Sequence, residues 1–422
     1  MTTHTAGASE SAEMDLLTTE VKGYAWGDRA RLHAFADLPG AGSPAAELWV
    51  GTHPDGASQL PDGRSLREEV ELPYLLKLLA AAEPLSLQVH PDRDQARRGF
   101  AREEADGPAR EAPDRNFKDD RHKPELFVAL DDSLLLAGFR PVPEAVALLE
   151  DIGGPTASRM ASALTSGGAP ALAELFGQLL QGRPEGAEDL AVRLTERAAA
   201  GGSAMAGSGQ PGAASDPARA SSWAASVEVA ADLYRRYPDD QSWLISLLLN
   251  LVALRPGEAI FVEAGVLHAH LRGFGIEIMA ASDNVLRAGM TGKHMDRDLV
   301  RECTVVRPAL PELVSMAQVS RGVRLVECGA EEFALLVVDA PAGHEVGHED
   351  EVGDTAYGIE VPAAGPRLVL TIEGEVTVHA GGQDQVLPRG RAVYVPASEG
   401  ELRLTGPGQA VVAAVPAEVG TT

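Results

Sequence analysis

The spacing of hydrophobic and polar residues divides the chain into three stretches. Residues 14–142 carry short apolar runs separated by Gly, Pro and charged positions, which is typical of β-strands joined by turns. In residues 143–251, apolar residues recur at helical spacing within Ala- and Leu-rich segments, and this period predicts helices. From residue 252 short alternating runs return, as in RLVLTIEGEVTVHAG, and their regular spacing predicts a β-sandwich or barrel.

Three segments depart from these patterns. Residues 1–13 are small and polar, and we expect them to form a disordered N-terminal tail. Residues 201–222 are a low-complexity run inside the helical stretch, and their composition predicts a flexible linker. Residues 93–120 are polar and charged, which indicates a long loop or a short helix followed by a loop.

A faint internal repeat links the two β-rich parts. Residues 254–268 and 387–401 align when Gly257 is matched with Gly390, and both resemble the strand pair of a cupin-type jelly roll. The predicted fold is therefore mainly β with an α insertion: two cupin-like jelly-roll β-barrels plus a helical domain. The predicted domains are a metal-binding jelly roll at residues 14–142 and 252–320, a helical insertion at 143–251 and a C-terminal jelly roll at 321–422.

Composition narrows the functional classes. The 422 residues are 45% hydrophobic and 23% charged, an ordinary balance for a protein with a packed core. The formal charge of −26 argues against a nucleic-acid binder. No apolar run is long enough for a membrane helix, the N-terminus lacks the features of a secretory signal, and Cys303 and Cys328 form no disulfide framework. We therefore expect a cytoplasmic protein, a monomer, with no nucleic-acid or membrane partner.

Four residues form a candidate metal site. Gln88 and His90 lie two positions apart on a predicted strand, so their side chains share a face. Glu125 and His268 lie on or beside other predicted strands. Two imidazoles, a carboxylate and an amide oxygen suit one divalent metal with positions left open for a ligand. Spacing alone also allows structural roles, since a Q-x-H pair is common and a lone core histidine is more often structural.

The C-terminal repeat lacks an equivalent set of ligands. Glu401 stands where the first copy has His268, and His379 is isolated in the sequence. We therefore expect the C-terminal roll to hold no metal.

Three motifs carry a family resemblance: LSLQVHPD (85–92), HKPEL (122–126) and EIMAASDNVLRAGMTGKHMD (277–296). In these motifs the chain resembles the type I mannose-6-phosphate isomerases, and the similarity runs from about residue 16 into the C-terminal roll. The resemblance implies interconversion of mannose 6-phosphate and fructose 6-phosphate through a cis-enediol(ate), which feeds GDP-mannose metabolism. It also implies residue roles: a divalent metal, usually zinc, on Gln88, His90, Glu125 and His268; catalysis by Arg287; and substrate contacts from Lys77 and Ser86.

The implied reaction needs a base that reaches the hydrogen on C2 of the sugar. Asp283 and Glu277 are the carboxylate candidates, although Asp283 could instead cap a turn. His122 and Lys123 precede Glu125 and could assist ring opening. Lys123 has the better geometry, because on a strand it would share a face with Glu125.

The substrate phosphate needs cations. The candidates are Lys77, Lys123, Arg287 and Lys293, and the sequence leaves open whether the arginine clamps the phosphate or the enediolate. Two positions depart from the family: His270 replaces the usual Tyr and Gly292 replaces the usual Pro.

Two other functions fit parts of the sequence. A cupin-type metal oxygenase would normally use a 2-His-1-carboxylate triad, and Gln88 argues against it. A non-catalytic sugar-binding jelly roll would not need four cations around a metal.

Overall fold

The protein is described by a computed structural model over residues 14–200, 223–341 and 358–419. The predicted tail at residues 1–13 and the predicted linker at residues 201–222 lie outside the described residues. The strands are β1 Asp15–Leu16, β2 Glu20–Lys22, β3 Glu47–Gly51, β4 Tyr74–Ala81, β5 Leu87–Val89, β6 Glu125–Ala129, β7 Ser133–Phe139, β8 Leu249–Leu254, β9 Ala259–Val262, β10 His268–Ala280, β11 Leu286–Gly289, β12 Leu313–Val314, β13 Met316–Ser320, β14 Val323–Val326, β15 Ala334–Ala340, β16 Ile359–Val361, β17 Arg367–Ala380, β18 Gln383–Pro388, β19 Ala392–Val395, β20 Leu402–Thr405 and β21 Gly408–Ala414. The helices are α1 Arg31–Ala36, α2 Arg93–Asp106, α3 Val142–Ile152, α4 Pro155–Gln181, α5 Ala187–Ala200, α6 Trp223–Arg236, α7 Ser242–Ser246 and α8 Arg297–Cys303.

The chain divides into two compact units. The first unit comprises Met1–Gly23, Arg29–Leu78 and Ser315–Thr422, and the second comprises Tyr24–Asp28 and Leu79–Val314. The strands form two sheets, and the prediction of a mainly β chain with additional helices is confirmed. The predicted domain boundaries stay a prediction. Within the described residues, no helix is both long and apolar enough to cross a membrane.

In the second unit, β10 is the central strand. Its N-terminal part pairs with β5 and β7, and its C-terminal part pairs with β6, which in turn pairs with β9. A register shift between His270 and Arg272 bends β10, so one strand serves both groups of partners. Since β5 also pairs with β11, the short strand β5 lies between β10 and β11.

Helices α3 to α7 lie between β7 and β8 in the chain. Their buried faces are rich in Leu and Ala, as the helical period predicts, and they share one hydrophobic core with residues of β5, β7 and β10. Burial of the helical apolar face against the strands stabilises both, because neither element could hide that surface alone.

Helix α2 has a clear start signal. The Asp92 carboxylate accepts a hydrogen bond from the Gln95 backbone N–H, while the Gln95 side chain accepts one from the Asp92 backbone N–H. This reciprocal capping box fixes the helix directly after the segment that carries Gln88 and His90.

The first unit contains a sheet of ten strands with the order β1-β19-β17-β21-β15-β14-β13, joined by β18, β20 and β16. Its core is dominated by Val, Leu and Ala from alternate positions of these strands. The ring of His379 on β17 contacts Asp384 through Nδ1 at 2.6 Å and Thr405 through Nε2 at 2.8 Å. Both ring nitrogens of this histidine, which is isolated in the sequence, therefore have hydrogen-bond partners on neighbouring strands.

Candidate metal centre

Strand pairing places three predicted site residues in one row. Gln88 on β5 lies opposite His268 on β10 and opposite Arg287 on β11. Side chains of directly paired residues project from the same face of a sheet, so these three share one face. The row joins parts of the chain that are far apart in sequence.

Glu125 lies between the two histidines. Its Oε1 is 3.2 Å from His90 Nε2, and its Oε2 is 3.1 Å from His268 Nε2. All three side chains are buried, and their ligand atoms lie within 4.8 Å of one another. Neighbouring ligands about 2.0–2.1 Å from one tetrahedral zinc ion would be separated by about 3.3 Å. The spacing of the donors therefore fits a single zinc-sized ion.

The backbone fixes the orientation of both imidazoles. His90 Nδ1 lies 2.7 Å from the carbonyl oxygen of Asn284, and His268 Nδ1 lies 2.9 Å from that of Val266. A carbonyl can only accept, so each Nδ1 carries a hydrogen and each ring points its Nε2, the atom that would bind a metal, toward Glu125. Among the described residues, the buried His90 Nε2 has no hydrogen-bond partner. A cation would satisfy lone pairs that otherwise face one another.

Gln88 completes the group. Its amide nitrogen lies 3.3 Å from His268 Nε2, and its amide oxygen accepts a hydrogen bond of 3.3 Å from the Ser86 hydroxyl. Rotating the amide by a half turn brings the oxygen toward the histidine and leaves the nitrogen to donate to Ser86. The side chain can therefore offer an oxygen ligand without losing the Ser86 contact.

Charge in the centre is set by burial and by Lys123. Burial lowers the pKa of the His90 imidazole, which keeps the ring neutral and able to bind a metal. Burial also opposes ionisation of Glu125, but the positive charge of Lys123 is the largest opposing influence, and the pKa of the Glu125 carboxyl lies well below the usual range. The Lys123 ammonium lies 3.0 Å from Glu125 Oε1. The centre thus holds a carboxylate, two imidazoles and one ammonium together.

His122 has a different environment from Lys123. Its Nε2 accepts a hydrogen bond of 3.1 Å from Arg93 Nε, at the start of α2. This contact ties the HKPEL segment to the helix that follows His90.

Among the described residues, two cations in or beside this row, Arg287 and Lys293, have no neighbour that neutralises them. Within the described parts of the chain, the half-buried Arg287 guanidinium and the Lys293 ammonium make no ion pair or side-chain hydrogen bond. Burial, followed by the charge of Arg287, lowers the pKa of Lys293, and burial lowers that of Arg287. Because the guanidinium is half-buried, the ammonium is exposed and neither is paired, the two cations favour an anionic ligand.

The two candidate bases differ in environment. Glu277 on β10 is buried and accepts a hydrogen bond of 3.0 Å from His270 Nε2, so the residue that departs from the family contacts a candidate base. Glu277 lies opposite Phe127, two residues along β6 from Glu125, and shares its face. Asp283 is exposed, and its backbone N–H donates to the Asp119 carboxylate.

Lys77 lies in the first compact unit and is buried. Its ammonium is 2.9 Å from Glu47 Oε1, and Glu47 Oε2 accepts a hydrogen bond of 2.8 Å from the Trp49 indole. The sequence reasoning did not identify Glu47 as the partner of Lys77. Alternation along β3 puts Glu47 and Trp49 on one face, but nothing in the sequence links that strand to Lys77.

The loop after Arg287 is anchored by another residue that sequence reasoning missed. Met290 has a positive φ of 55°, which is strained for a side chain of this size, and its N–H donates to Asp240 at 2.6 Å. Asp240 also accepts the backbone N–H of Ser242 at 2.8 Å. The residue between α6 and α7 therefore fixes the loop that leads to Lys293.

The chain is similar to known proteins over most of its length. Residues 62–142 match the family model described as "Phosphomannose isomerase type I, catalytic domain". The chain is 32% identical to mannose-6-phosphate isomerase of Escherichia coli K12, over 94% of this chain and 98% of that protein, and 30% identical to the Homo sapiens enzyme, over 93% and 95%. A crystal structure of mannose 6-phosphate isomerase from Salmonella typhimurium bound to fructose 6-phosphate and zinc superposes with a TM-score of 0.80 at 29% identity, covering 96% of this chain and 100% of that one.

Proposed function

The chain belongs to the type I mannose-6-phosphate isomerase family, and from this premise we propose that it interconverts mannose 6-phosphate and fructose 6-phosphate. The observation that carries the proposal is the buried group of His90, Glu125 and His268, in which lone pairs converge on one point. An isomerase of this kind needs an electrophile at that point and cations for a phosphorylated substrate. The second unit supplies candidates for both.

Gln88, His90, Glu125 and His268 would hold one divalent ion, and zinc fits their donor set of two nitrogens and two oxygens. When bound, such an ion polarises sugar oxygens and stabilises the negative charge that develops on them. Lys123 lies against Glu125, so its ammonium would donate to a sugar oxygen beside the ion and assist ring opening. Ser86 would hold the Gln88 amide in its ligating orientation and contact the sugar.

Arg287 and Lys293 would bind the substrate's negative charge. Arg287 lies in the same row as Gln88 and His268. Its planar guanidinium would bind either the enediolate at the reacting carbons or the phosphate at the other end of the sugar. Lys293 adds a second positive charge nearby, since the charge of Arg287 contributes to lowering the pKa of Lys293. Lys77 stays a predicted phosphate contact from the sequence, with its charge balanced by Glu47.

Glu277 is our first choice for the base that moves the proton between C2 and C1. It is buried on the face that also carries Glu125, and the His270 ring orients its carboxylate. Asp283 is the second candidate. Glu277→Gln and Asp283→Asn separate them when exchange of the C2 hydrogen with deuterated water is followed by NMR, because the variant that lacks the base loses exchange while still binding substrate.

We also propose, from the sequence patterns, that each sheet closes into a cupin-like jelly roll and that the protein is a cytoplasmic monomer. The antiparallel pairing of all the described strand registers is compatible with jelly rolls.

A coupled assay of fructose 6-phosphate formation from mannose 6-phosphate tests the function. We expect turnover that a strong chelator abolishes and added zinc restores. Oxygen consumption with a sugar substrate would favour the metal oxygenase, and binding of the sugar without turnover would favour the non-catalytic alternative. Either result, without isomerisation, would overturn the proposal.

A further inference from the structure

We propose that Asn284 is a positioning residue that fixes the distance between the metal ligands His90 and Glu125. The inference rests on the metal site of the proposed function and adds a residue that contacts neither metal nor substrate. Asn284 is fully buried, in the loop between β10 and β11. Its main chain contacts one ligand, while its side chain holds the segment that leads to the other.

The main-chain contact orients His90. The Asn284 carbonyl oxygen lies 2.7 Å from His90 Nδ1, which is the bond that presents Nε2 toward Glu125. Such a partner sets both the tautomer and the angle of a ligating ring. Displacing this carbonyl would free the ring to rotate away from the carboxylate.

The side chain of Asn284 fixes the segment before β6. Its Oδ1 accepts the Lys118 backbone N–H at 2.7 Å, and its Nδ2 donates to the carbonyl oxygens of Asp119 at 2.9 Å and Arg121 at 2.8 Å. The amide thus uses its donors and its acceptor on main-chain groups of one short loop. Four residues after Arg121 the same segment begins β6 with Glu125.

A second contact supports the same loop. The Asp119 carboxylate accepts hydrogen bonds from the Ser282 hydroxyl at 2.9 Å and from the Asp283 N–H at 2.8 Å. The two loops are therefore joined from both sides. The SDN motif at residues 282–284 therefore joins the two loops, and this structural role differs from proton transfer.

Asn250 offers a matched control. It too is a buried asparagine in the second unit, and its Nδ2 donates to the carbonyl oxygens of Ala137, Gly138 and Ala309 at 2.9–3.2 Å. Unlike the Asn284 amide, it makes none of these bonds to the segment that leads to Glu125. Removing either amide should cost stability, but only the loss of Asn284 should disturb the metal.

The test compares Asn284→Ala and Asn250→Ala with the wild-type protein. We measure the melting temperature without metal, the zinc dissociation constant by competition with a chelator, and the visible spectrum of the cobalt-substituted protein. Both variants should melt earlier. Asn284→Ala should bind zinc about 10-fold to 100-fold more weakly and change the cobalt spectrum, whereas Asn250→Ala should keep both properties.

Equal zinc affinity in the two folded variants would overturn the inference. If Asn284→Ala does not fold, Asp119→Asn carries the same test from the opposite loop, with the same weakening expected and unchanged affinity again counting against the proposal. Absence of stoichiometric zinc in the wild-type protein would instead refute the metal site itself, so the two failures are distinguishable.

Discussion

Replacement of Arg287 by Met should remove activity without removing stability. The half-buried guanidinium has no ion pair or side-chain hydrogen bond within the described residues, so its loss breaks no contact that holds the fold. We expect the free energy of unfolding to change by no more than about 0.5 kcal/mol. If the fork makes two charge-assisted bonds to substrate, each contributing about 1.5–3 kcal/mol, kcat/KM should fall by about 10²–10⁴-fold.

Arg140→Met is the matched control for this prediction. Arg140 is buried, donates to the Leu249 carbonyl oxygen from Nε at 3.0 Å and from Nη2 at 2.7 Å, and its burial lowers its pKa to about 10. Its loss removes both buried hydrogen bonds and should destabilise the protein by about 1–3 kcal/mol, with kcat/KM nearly unchanged in the folded fraction. Arg287→Lys keeps the charge but loses the planar fork, so it should remain impaired.

The assays are urea unfolding, zinc content and the coupled isomerase reaction on the same preparations. Near-normal kcat/KM in Arg287→Met, with zinc retained, would refute a catalytic role for this arginine. A loss of stability as large as that of Arg140→Met would refute the claim that the guanidinium is kept for a ligand.

Three further predictions concern other parts of the molecule. Lys77→Ala should raise KM for mannose 6-phosphate while changing the rate with free mannose little; an equal loss for both sugars in steady-state kinetics would show that Lys77 does not bind the phosphate. Asp240→Ala should release the strained Met290 backbone, whose conformation costs about 1–3 kcal/mol, and raise KM while zinc content stays at the wild-type value; unchanged kinetics would contradict this. Burial raises the pKa of the Cys303 thiol to about 12, so at pH 8 the thiol is protonated and should resist alkylation in the native protein, as mass spectrometry of peptides can check; rapid modification would show that the site opens.

The sequence predicted the site through period-two spacing and motif resemblance. Gln88 lies on β5 and His90 directly follows the last residue of that strand, while Lys123 contacts Glu125 although it precedes β6, which begins at Glu125. Pairing of Gln88 with both His268 and Arg287 could not be derived, because strand register depends on contacts across nearly 200 residues.

The polar partners of the site were the hardest features to predict. The contact between His90 and the Asn284 main chain involves an atom that every residue type carries, so no sequence signal marks it. The pairing of Glu47 with Lys77 depends on how two strands approach. Helix α2 is different, because its D-x-x-Q start signal is visible at residues 92–95. The alternative prediction of a long loop for this segment relied too much on its many charged residues.

Titration of the metal-free protein with zinc is the decisive test of whether one metal ion at this site drives isomerisation. The rate of fructose 6-phosphate formation is measured after each addition, together with the zinc bound per chain. We expect no turnover without metal, a linear rise to one equivalent of zinc and a plateau beyond it, with His90→Ala and His268→Ala failing to reach that plateau. Full activity in the metal-free protein, or no isomerisation with one zinc bound, would contradict it.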